Sequence, residues 1–163
     1  MTETQDTTKN GLKEGDAAPD FSMEASGART VSLSALKGKP FVLYFYPKAD
    51  TPGCTKEACG FSEALGQFEG AGLSVIGVSR DPVKKLDKFA EKYDLTFPLA
   101  SDEPGSVTEA YGVWVEKSLY GKAYMGIDRT TFLIGADGKI ARIWKKVKVP
   151  GHVEAVLEAA QAL

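Results

Sequence analysis

A continuous apolar run, Phe41 to Tyr46, leads through a short turn into a helical pattern. Such a run, introduced by Gly38-Lys39-Pro40, is typical of a buried strand. Thr51 and Pro52 then supply an N-cap residue followed by a proline at the first helical position. The predicted helix runs from about 52 to 69, and its apolar face carries Ala58, Phe61, Leu65 and Phe68 at spacings of three and four. A buried strand that turns directly into an amphipathic helix predicts an α/β chain.

The rest of the chain continues this alternation. Strands are predicted at 73–79 and 97–100, and helices at about 82–93, 102–111 and 150–162. Asp81 is predicted to be the N-cap of the first of these helices, with Pro82 at its first position. Segments 130–134 and 140–144 form an antiparallel hairpin around Asp137-Gly138. Residues 113–127 lack clear periodicity, which favours a long loop or short strands.

Two parallel crossovers followed by an antiparallel end predict a mixed sheet covered on both faces. The fold class is therefore α/β, a thioredoxin-like three-layer αβα sandwich with a mixed central sheet. We expect residues 12–163 to form one domain, preceded by a disordered polar tail over residues 1–11.

Composition narrows the range of functions. A net charge of -2 gives no basic surface for nucleic acid. The longest apolar runs, of about six residues, are far too short to cross a membrane. The N-terminal residues lack the basic start and apolar stretch of a signal peptide. We therefore expect a cytoplasmic protein with neither nucleic acid nor membrane as partner.

The chain has two cysteines, Cys54 and Cys59, and one histidine, His152. Two cysteines are too few for a disulfide scaffold, and three soft ligands, one of them remote, do not make a structural metal site. No metal and no other cofactor are predicted. Redox chemistry is the favoured interpretation, and two buried structural thiols are the alternative.

Cys54 falls at the third helical position, where the helix N-terminus and any nearby cation stabilise its thiolate form. That position often carries the Glu or Gln of a capping box, so Thr51 lacks this partner. The Thr51 hydroxyl therefore either caps the helix or faces the thiolate or a substrate.

Cys59 lies five residues further along the same predicted helix. Positions five apart in an ideal helix have Cα atoms about 8.6 Å apart and point about 140° apart around the axis. A disulfide needs Cα atoms closer than about 7 Å. Either the two cysteines never pair, or oxidation unwinds at least one turn of the helix.

The pattern Pro47-x-x-x-Thr51-x-x-Cys54 resembles the active-site motif of peroxiredoxins. With Cys59 five residues on, the chain is similar to the bacterioferritin-comigratory-protein (PrxQ) subfamily of these thiol peroxidases. Further matching segments are Gly15 to Phe21, Tyr44 to Pro47 and Gly126 to Ile134. The similarity extends from about Leu12 over nearly the whole chain.

The resemblance implies a role for each matching residue. Cys54 would be the peroxidatic nucleophile that becomes a sulfenic acid. Thr51 would hydrogen-bond the peroxide and the thiolate, Pro47 would shield the pocket from water, and Arg129 would supply a fixed positive charge. Cys59 would be the resolving cysteine, forming an intramolecular disulfide with Cys54.

The resemblance also implies substrates and partners. Hydrogen peroxide and organic hydroperoxides would be reduced, and thioredoxin or a related dithiol protein would reduce the disulfide. The role would be antioxidant defence and redox homeostasis. Relatives are often monomers, so a monomer is expected.

Three other functions remain open from the residues. A thiol–disulfide oxidoreductase is disfavoured because its cysteines are separated by two residues rather than four. A redox sensor or holdase would be oxidised once and turn over slowly. A Cys/His hydrolase has thin support from one remote histidine. We expect His152 to be a solvated or capping residue and Arg80 to be a solvated charge at a strand end. Trp114, Tyr120 and Tyr124 are expected to serve packing, with a place at the pocket mouth or on a partner surface as the alternative.

Overall fold

The computed structural model describes residues 12–163, so the predicted tail lies outside the described residues. The helices are α1 (Pro52–Gly70), α2 (Val83–Tyr93), α3 (Ser106–Ala110) and α4 (His152–Gln161), with a 3-10 turn at Ser34–Leu36. The first strands are β1 (Ser22–Ala25), β2 (Arg29–Ser32), β3 (Phe41–Phe45), β4 (Ser74–Ser79) and β5 (Leu99–Ser101). The later strands are β6 (Trp114–Leu119), β7 (Lys122–Ile127), β8 (Thr130–Ile134) and β9 (Ile140–Trp144).

Seven strands form one mixed sheet in the order β2-β1-β5-β4-β3-β8-β9. The central strands β3, β4 and β5 are parallel because helical crossovers join them. Strand β8 pairs antiparallel with β3, and β9 returns beside β8 as a hairpin. The predicted hairpin over 130–144 is therefore confirmed.

Strand β3 is buried along its whole length, and its alternate side chains enter two different cores. Val42 and Tyr44 pack with residues of α1, α2 and α4 on one face of the sheet. Phe41, Leu43 and Phe45 pack on the other face with α3 and the N-terminal strands. Helices cover both faces, which confirms the predicted three-layer mixed α/β architecture.

Residues 114–127 form a regular antiparallel hairpin, β6 paired with β7, in a sheet of its own. The turn residues Tyr120 and Gly121 have φ of 52° and 77°, the positive values that a tight hairpin turn requires. Sequence periodicity did not reveal these strands because most of their residues are partly or fully exposed on both faces. Tyr120 and Tyr124 are exposed, so the prediction that they serve packing is wrong.

Arg80 anchors this hairpin instead of being a solvated charge at a strand end. Its guanidinium carbon lies 3.4 Å from the ring centroid of Trp114, a cation–π stack. It also donates to Thr108 Oγ1 at 2.9 Å and to the carbonyl of Gly105 at 3.1 Å. The expectation of a solvated Arg80 is therefore wrong.

Within residues 12–163, no helix has both the length and the apolar character needed to span a bilayer. Over the same residues, no three His, Cys, Asp or Glu side chains group as a metal site would require.

The close fit of Tyr44 against β4 gives a first prediction. A methyl group at Gly77 would lie 2.8 Å from Cζ of Tyr44, whereas one at Gly66, on the exposed side of α1, would meet nothing within 4 Å. We expect Gly77→Ala to lower the free energy of unfolding by about 1–3 kcal/mol through overpacking. Gly66→Ala should raise it by about 0.5–1 kcal/mol because alanine favours the helix.

Urea unfolding followed by circular dichroism measures both changes. Equal effects of the two substitutions would contradict the described packing of Tyr44 on β4.

Candidate active site

The register of the central sheet brings the cysteine helix and a distant arginine together. Phe45, the last residue of β3, lies opposite Thr130, the first residue of β8. The C-terminal end of β3, where the chain continues to α1, therefore lies beside the N-terminal end of β8, which Arg129 precedes. Residues 75 positions apart in sequence therefore meet at the start of α1.

The loop between β3 and α1 is fixed at two points. The backbone N–H of Ala49 donates to Asp81 Oδ2 at 2.8 Å. Asp50 has a φ of 61°, and its carboxylate accepts from Lys92 Nζ at 3.0 Å and Tyr93 Oη at 2.8 Å. These contacts hold an otherwise unfavourable left-handed residue just before the helix starts.

The prediction that Asp81 caps the helix after β4 is wrong. Helix α2 begins at Val83 with Pro82 as its N-cap, so Asp81 is not the cap residue. Its carboxylate serves the active-site loop and also accepts a hydrogen bond from Ser79 Oγ at 2.8 Å.

Cys54 lies in the first turn of α1 and is only 2% exposed. Arg129 Nη2 donates to Cys54 Sγ at 3.3 Å. The arginine approaches so closely that a methyl group on Gly53 would lie 3.3 Å from the same nitrogen. The sulfur thus lies beside a fixed cation and at the positive end of the helix dipole.

Thr51 is the N-cap residue of α1, but its side chain makes no capping hydrogen bond. Its hydroxyl instead donates to the carbonyl of Lys48 at 2.8 Å. The capping interpretation of this side chain is therefore wrong, and its oxygen lone pairs remain able to accept a hydrogen bond. Pro47 is exposed in the same loop, and its shielding role stays a prediction.

Glu57 lies one turn after Cys54 and was missed by the sequence analysis. Its side chain is 0% exposed, and Oε1 accepts from Arg129 Nη1 at 2.6 Å. Burial raises the pKa of Glu57 to about 7, although Arg129 opposes the shift. The available signal was its position: Cys54, Glu57, Phe61 and Ala64 follow spacings of three and four along the buried stripe of α1.

His152 is also buried, so the expectation of a solvated or capping residue is wrong. Its Nε2 lies 2.8 Å from Thr131 Oγ1 and 3.9 Å from Glu57 Oε2. Burial, followed by the nearby charge of Arg129, lowers the pKa of His152 to about 4. The imidazole is therefore neutral near pH 7, and its contact with Glu57 is not an ion pair.

Cys59 lies in the same continuous helix as Cys54, and both cysteines are free thiols. Its side chain is half-buried. Burial, with a smaller effect of Glu63, raises the pKa of the Cys59 thiol. With α1 intact, Cys59 is thus helical, as predicted, and its thiolate form is disfavoured by burial.

The two buried titratable groups predict opposite dependences of stability on pH. The pKa of Glu57 rises from 4.5 to about 7 on folding, so its stabilising contribution is full below pH 4.5 and lost as the pH rises through 7. The pKa of His152 falls from 6.5 to about 4, so its contribution is present above pH 6.5 and lost as the pH falls through 4.

We therefore expect Glu57→Gln to gain stability relative to the unsubstituted protein as the pH rises from 4.5 to 7, by up to about 3 kcal/mol. His152→Gln should show the opposite slope. Urea unfolding at a series of pH values measures both differences. If the difference in unfolding free energy between each variant and the unsubstituted protein does not change with pH, the burial of these two groups is contradicted.

Comparison with known proteins shows the family to which the chain belongs. Residues 14–143 match the AhpC/TSA family. The chain is 47% identical to peroxiredoxin Bcp of Escherichia coli over 148 residues, covering 91% of this chain and 95% of that protein. It is 46% identical to peroxiredoxin Bcp of Bacillus subtilis over 144 residues, covering 88% and 92%.

Solved structures agree with these relatives. Peroxiredoxin Q of Xanthomonas campestris superposes with a TM-score of 0.86 at 43% identity, covering 94% of this chain and 98% of that one. A structure of the bacterioferritin comigratory protein of the same organism, from a study of its alkyl peroxide reduction activity, has a TM-score of 0.86 at 42% identity, covering 93% and 98%. The chain therefore belongs to the AhpC/TSA family, as a peroxiredoxin of the Bcp (PrxQ) type.

Proposed function

We propose that this chain reduces peroxides through Cys54 as peroxidatic nucleophile and Cys59 as resolving cysteine. Its family consists of thiol-dependent peroxidases. The observation that carries the proposal is the 3.3 Å contact of Arg129 Nη2 with Cys54 Sγ at the start of α1. This contact supplies a fixed positive charge where negative charge is present on the thiolate and develops on the peroxide.

In the first step the Cys54 thiolate attacks the terminal oxygen of a hydroperoxide. An S–O bond forms and the O–O bond breaks, so sulfur is oxidised by two electrons and the peroxide is reduced. The peroxide proton passes to the leaving oxygen, which gives an alcohol, or water when the substrate is hydrogen peroxide. Protonation of the sulfenate by solvent then gives Cys54 sulfenic acid.

The groups around Cys54 suit this step. Because the hydroxyl hydrogen of Thr51 is committed to the Lys48 carbonyl, Thr51 Oγ1 can accept a hydrogen bond from the peroxide O–H. The N–H groups of Gly53 and Cys54 have no acceptor within the helix and face its N-terminal end. Arg129 would stabilise the leaving oxygen, and Pro47 would keep water from the pocket.

In the second step Cys59 attacks the sulfenic sulfur of Cys54. The thiol of Cys59 and the sulfenic acid of Cys54 condense: an S–S bond forms, the S–O bond of Cys54 breaks, and its oxygen leaves as water with the proton of Cys59. The peroxide has already oxidised Cys54, so no further oxidant is needed. Because the cysteines lie five residues apart within α1, they can pair only after part of the helix unwinds. Unwinding also relieves the burial that raises the pKa of Cys59, which increases its thiolate fraction.

The substrates would include hydrogen peroxide and organic hydroperoxides. Alkyl peroxide reduction is named for the Xanthomonas campestris relative, and we extend it to this chain by similarity. Thioredoxin or a related dithiol protein would return the disulfide to two thiols. We propose a monomer that acts in the cytoplasm, in antioxidant defence.

Cysteine substitutions test the two roles. We expect Cys54→Ser to lower peroxide consumption with a thioredoxin system at least about 1,000-fold, because it removes the nucleophile. Cys59→Ser should still consume one equivalent of peroxide and then stall. Substantial turnover by the Cys54 variant, or steady turnover by the Cys59 variant with thioredoxin, would contradict the assignment.

Unwinding of α1 is tested by circular dichroism of the oxidised protein. Residues 52–59 make up about a sixth of the helical residues, so oxidation by one equivalent of peroxide should remove a comparable share of the helical signal. Peptide mapping should find a Cys54–Cys59 disulfide. Cys59→Ser is the matched control and should keep its helical signal after the same treatment. An oxidised protein with the disulfide and full helicity would refute the unwinding step.

A further inference from the structure

One oxygen of Glu57 is left without a hydrogen bond in the interior. Among residues 12–163, Glu57 Oε2 is one of the few fully buried polar side-chain atoms without a partner. Its other oxygen, Oε1, holds Arg129. An unsatisfied carboxylate oxygen in a site of 0% exposure is costly, so its surroundings are informative.

The group that faces this oxygen is the imidazole of His152, whose Nε2 lies 3.9 Å from Oε2. The ring is fixed from several sides. Thr131 Oγ1 lies 2.8 Å from the same nitrogen, and the rings of Trp144 and Phe61 pack edge-on against the imidazole at centroid distances of 5.9 and 6.3 Å. Thr131 is on β8, two residues after Arg129. The imidazole thus lies between β8, the strand that begins directly after Arg129, and the helix that carries Cys54.

We propose that His152 is a positioning residue for peroxide reduction, which holds Glu57 and, through Glu57, keeps Arg129 on Cys54. The inference rests on the proposed function, since it assigns His152 a part in the same reaction. His152 contacts neither Cys54 nor the peroxide in this arrangement, so it acts only through the carboxylate.

The neutral imidazole can interact favourably with Glu57 whether the carboxyl group is ionised or protonated. When Glu57 is ionised, an Nε2–H tautomer donates to Thr131 Oγ1 and keeps the positive end of its N–H dipole 3.9 Å from Oε2. When Glu57 is protonated, the other tautomer lets Nε2 accept a hydrogen bond, and the Thr131 hydroxyl can donate or accept in either case. Neutrality of the ring is needed for this exchange, and burial provides it.

Several charged or titratable groups surround this pair. Arg129 and Cys54 lie on the Glu57 side, the buried hydroxyl of Tyr44 comes from β3, and Glu154 lies beside His152 on α4. Of these, Arg129 is the fixed cation, and it favours the ionised form of Glu57. Loss of the His152 N–H dipole would remove a second group that favours that form. Glu57 would then hold its proton to higher pH and bind Arg129 more weakly.

The test measures the second-order rate constant for reaction of the reduced protein with hydrogen peroxide, from pH 5.5 to 9. The Cys59→Ser background confines the measurement to the first step. We expect His152→Leu to lower this constant about 10-fold near pH 7 and less at pH 9, because Glu57 ionises only at the higher pH. His152→Gln carries an amide nitrogen that can take the place of Nε2, and it should stay within about threefold of the unsubstituted residue.

Two further variants keep the test decisive. Val153→Ala, at the neighbouring buried position of α4, disturbs packing without a polar change and should leave the rate and its pH profile unaltered. If His152→Leu fails to fold, His152→Asn replaces it, since the shorter amide does not reach Oε2.

The outcomes separate the two proposals. If the parent protein consumes peroxide and Cys54→Ser does not, but His152→Leu keeps the parent rate and pH profile, the positioning role is wrong while the proposed function stands. A loss equal at all pH values, or a Gln variant as slow as the Leu variant, also overturns the positioning role. If the parent protein does not consume peroxide, the proposed function itself fails.

Discussion

The guanidinium of Arg129 is the group on which the site depends. It joins Cys54 Sγ at 3.3 Å and Glu57 Oε1 at 2.6 Å, atoms that come from successive turns of one helix. A largely buried, permanently charged arginine needs an anionic partner at every stage of a reaction. In the proposed reaction the Cys54 thiolate cannot be that partner throughout, because oxidation would convert it to a sulfenic acid. Glu57, in its ionised form, would supply the negative charge that remains when the thiolate is consumed.

The sheet determines that these groups meet at all. Phe45 and Thr130 are paired across β3 and β8. The loop into α1 and the residue before β8 must therefore lie at the same end of these two strands. Asp81 and Asp50 then tie the loop to the strand end after β4 and to α2. The arginine side of the site is thus built on strands and fixed loops, and the cysteine side on the start of a helix.

The sequence was sufficient to predict those elements whose signals lie in neighbouring residues. The cap residues and apolar spacing predicted a helix from 52 to about 69, and α1 ends at Gly70. Sequence spacing could not choose Arg129 over Arg80, because that choice depends on strand register across the sheet. His152 was misjudged for a similar reason: the start of a helix is usually solvated, but this one is packed under α1 against Thr131. The strands of the exposed hairpin β6–β7 could not be predicted because their residues do not alternate between apolar and polar.

Helix α1 is held by different kinds of contact before and after Gly60. Beyond Gly60 it is anchored in the core by Phe61 and Phe68, both 0% exposed. Before Gly60 its buried groups are small or polar, chiefly Cys54 and Glu57, and they are held through Arg129. Glycine is also the weakest helix former apart from proline, so the division falls at an intrinsically weak point. In the proposed reaction, conversion of the thiolate to a sulfenic acid would remove one of the charged contacts that hold the first part. The oxidation step would therefore weaken the segment that must unwind before Cys59 can reach Cys54.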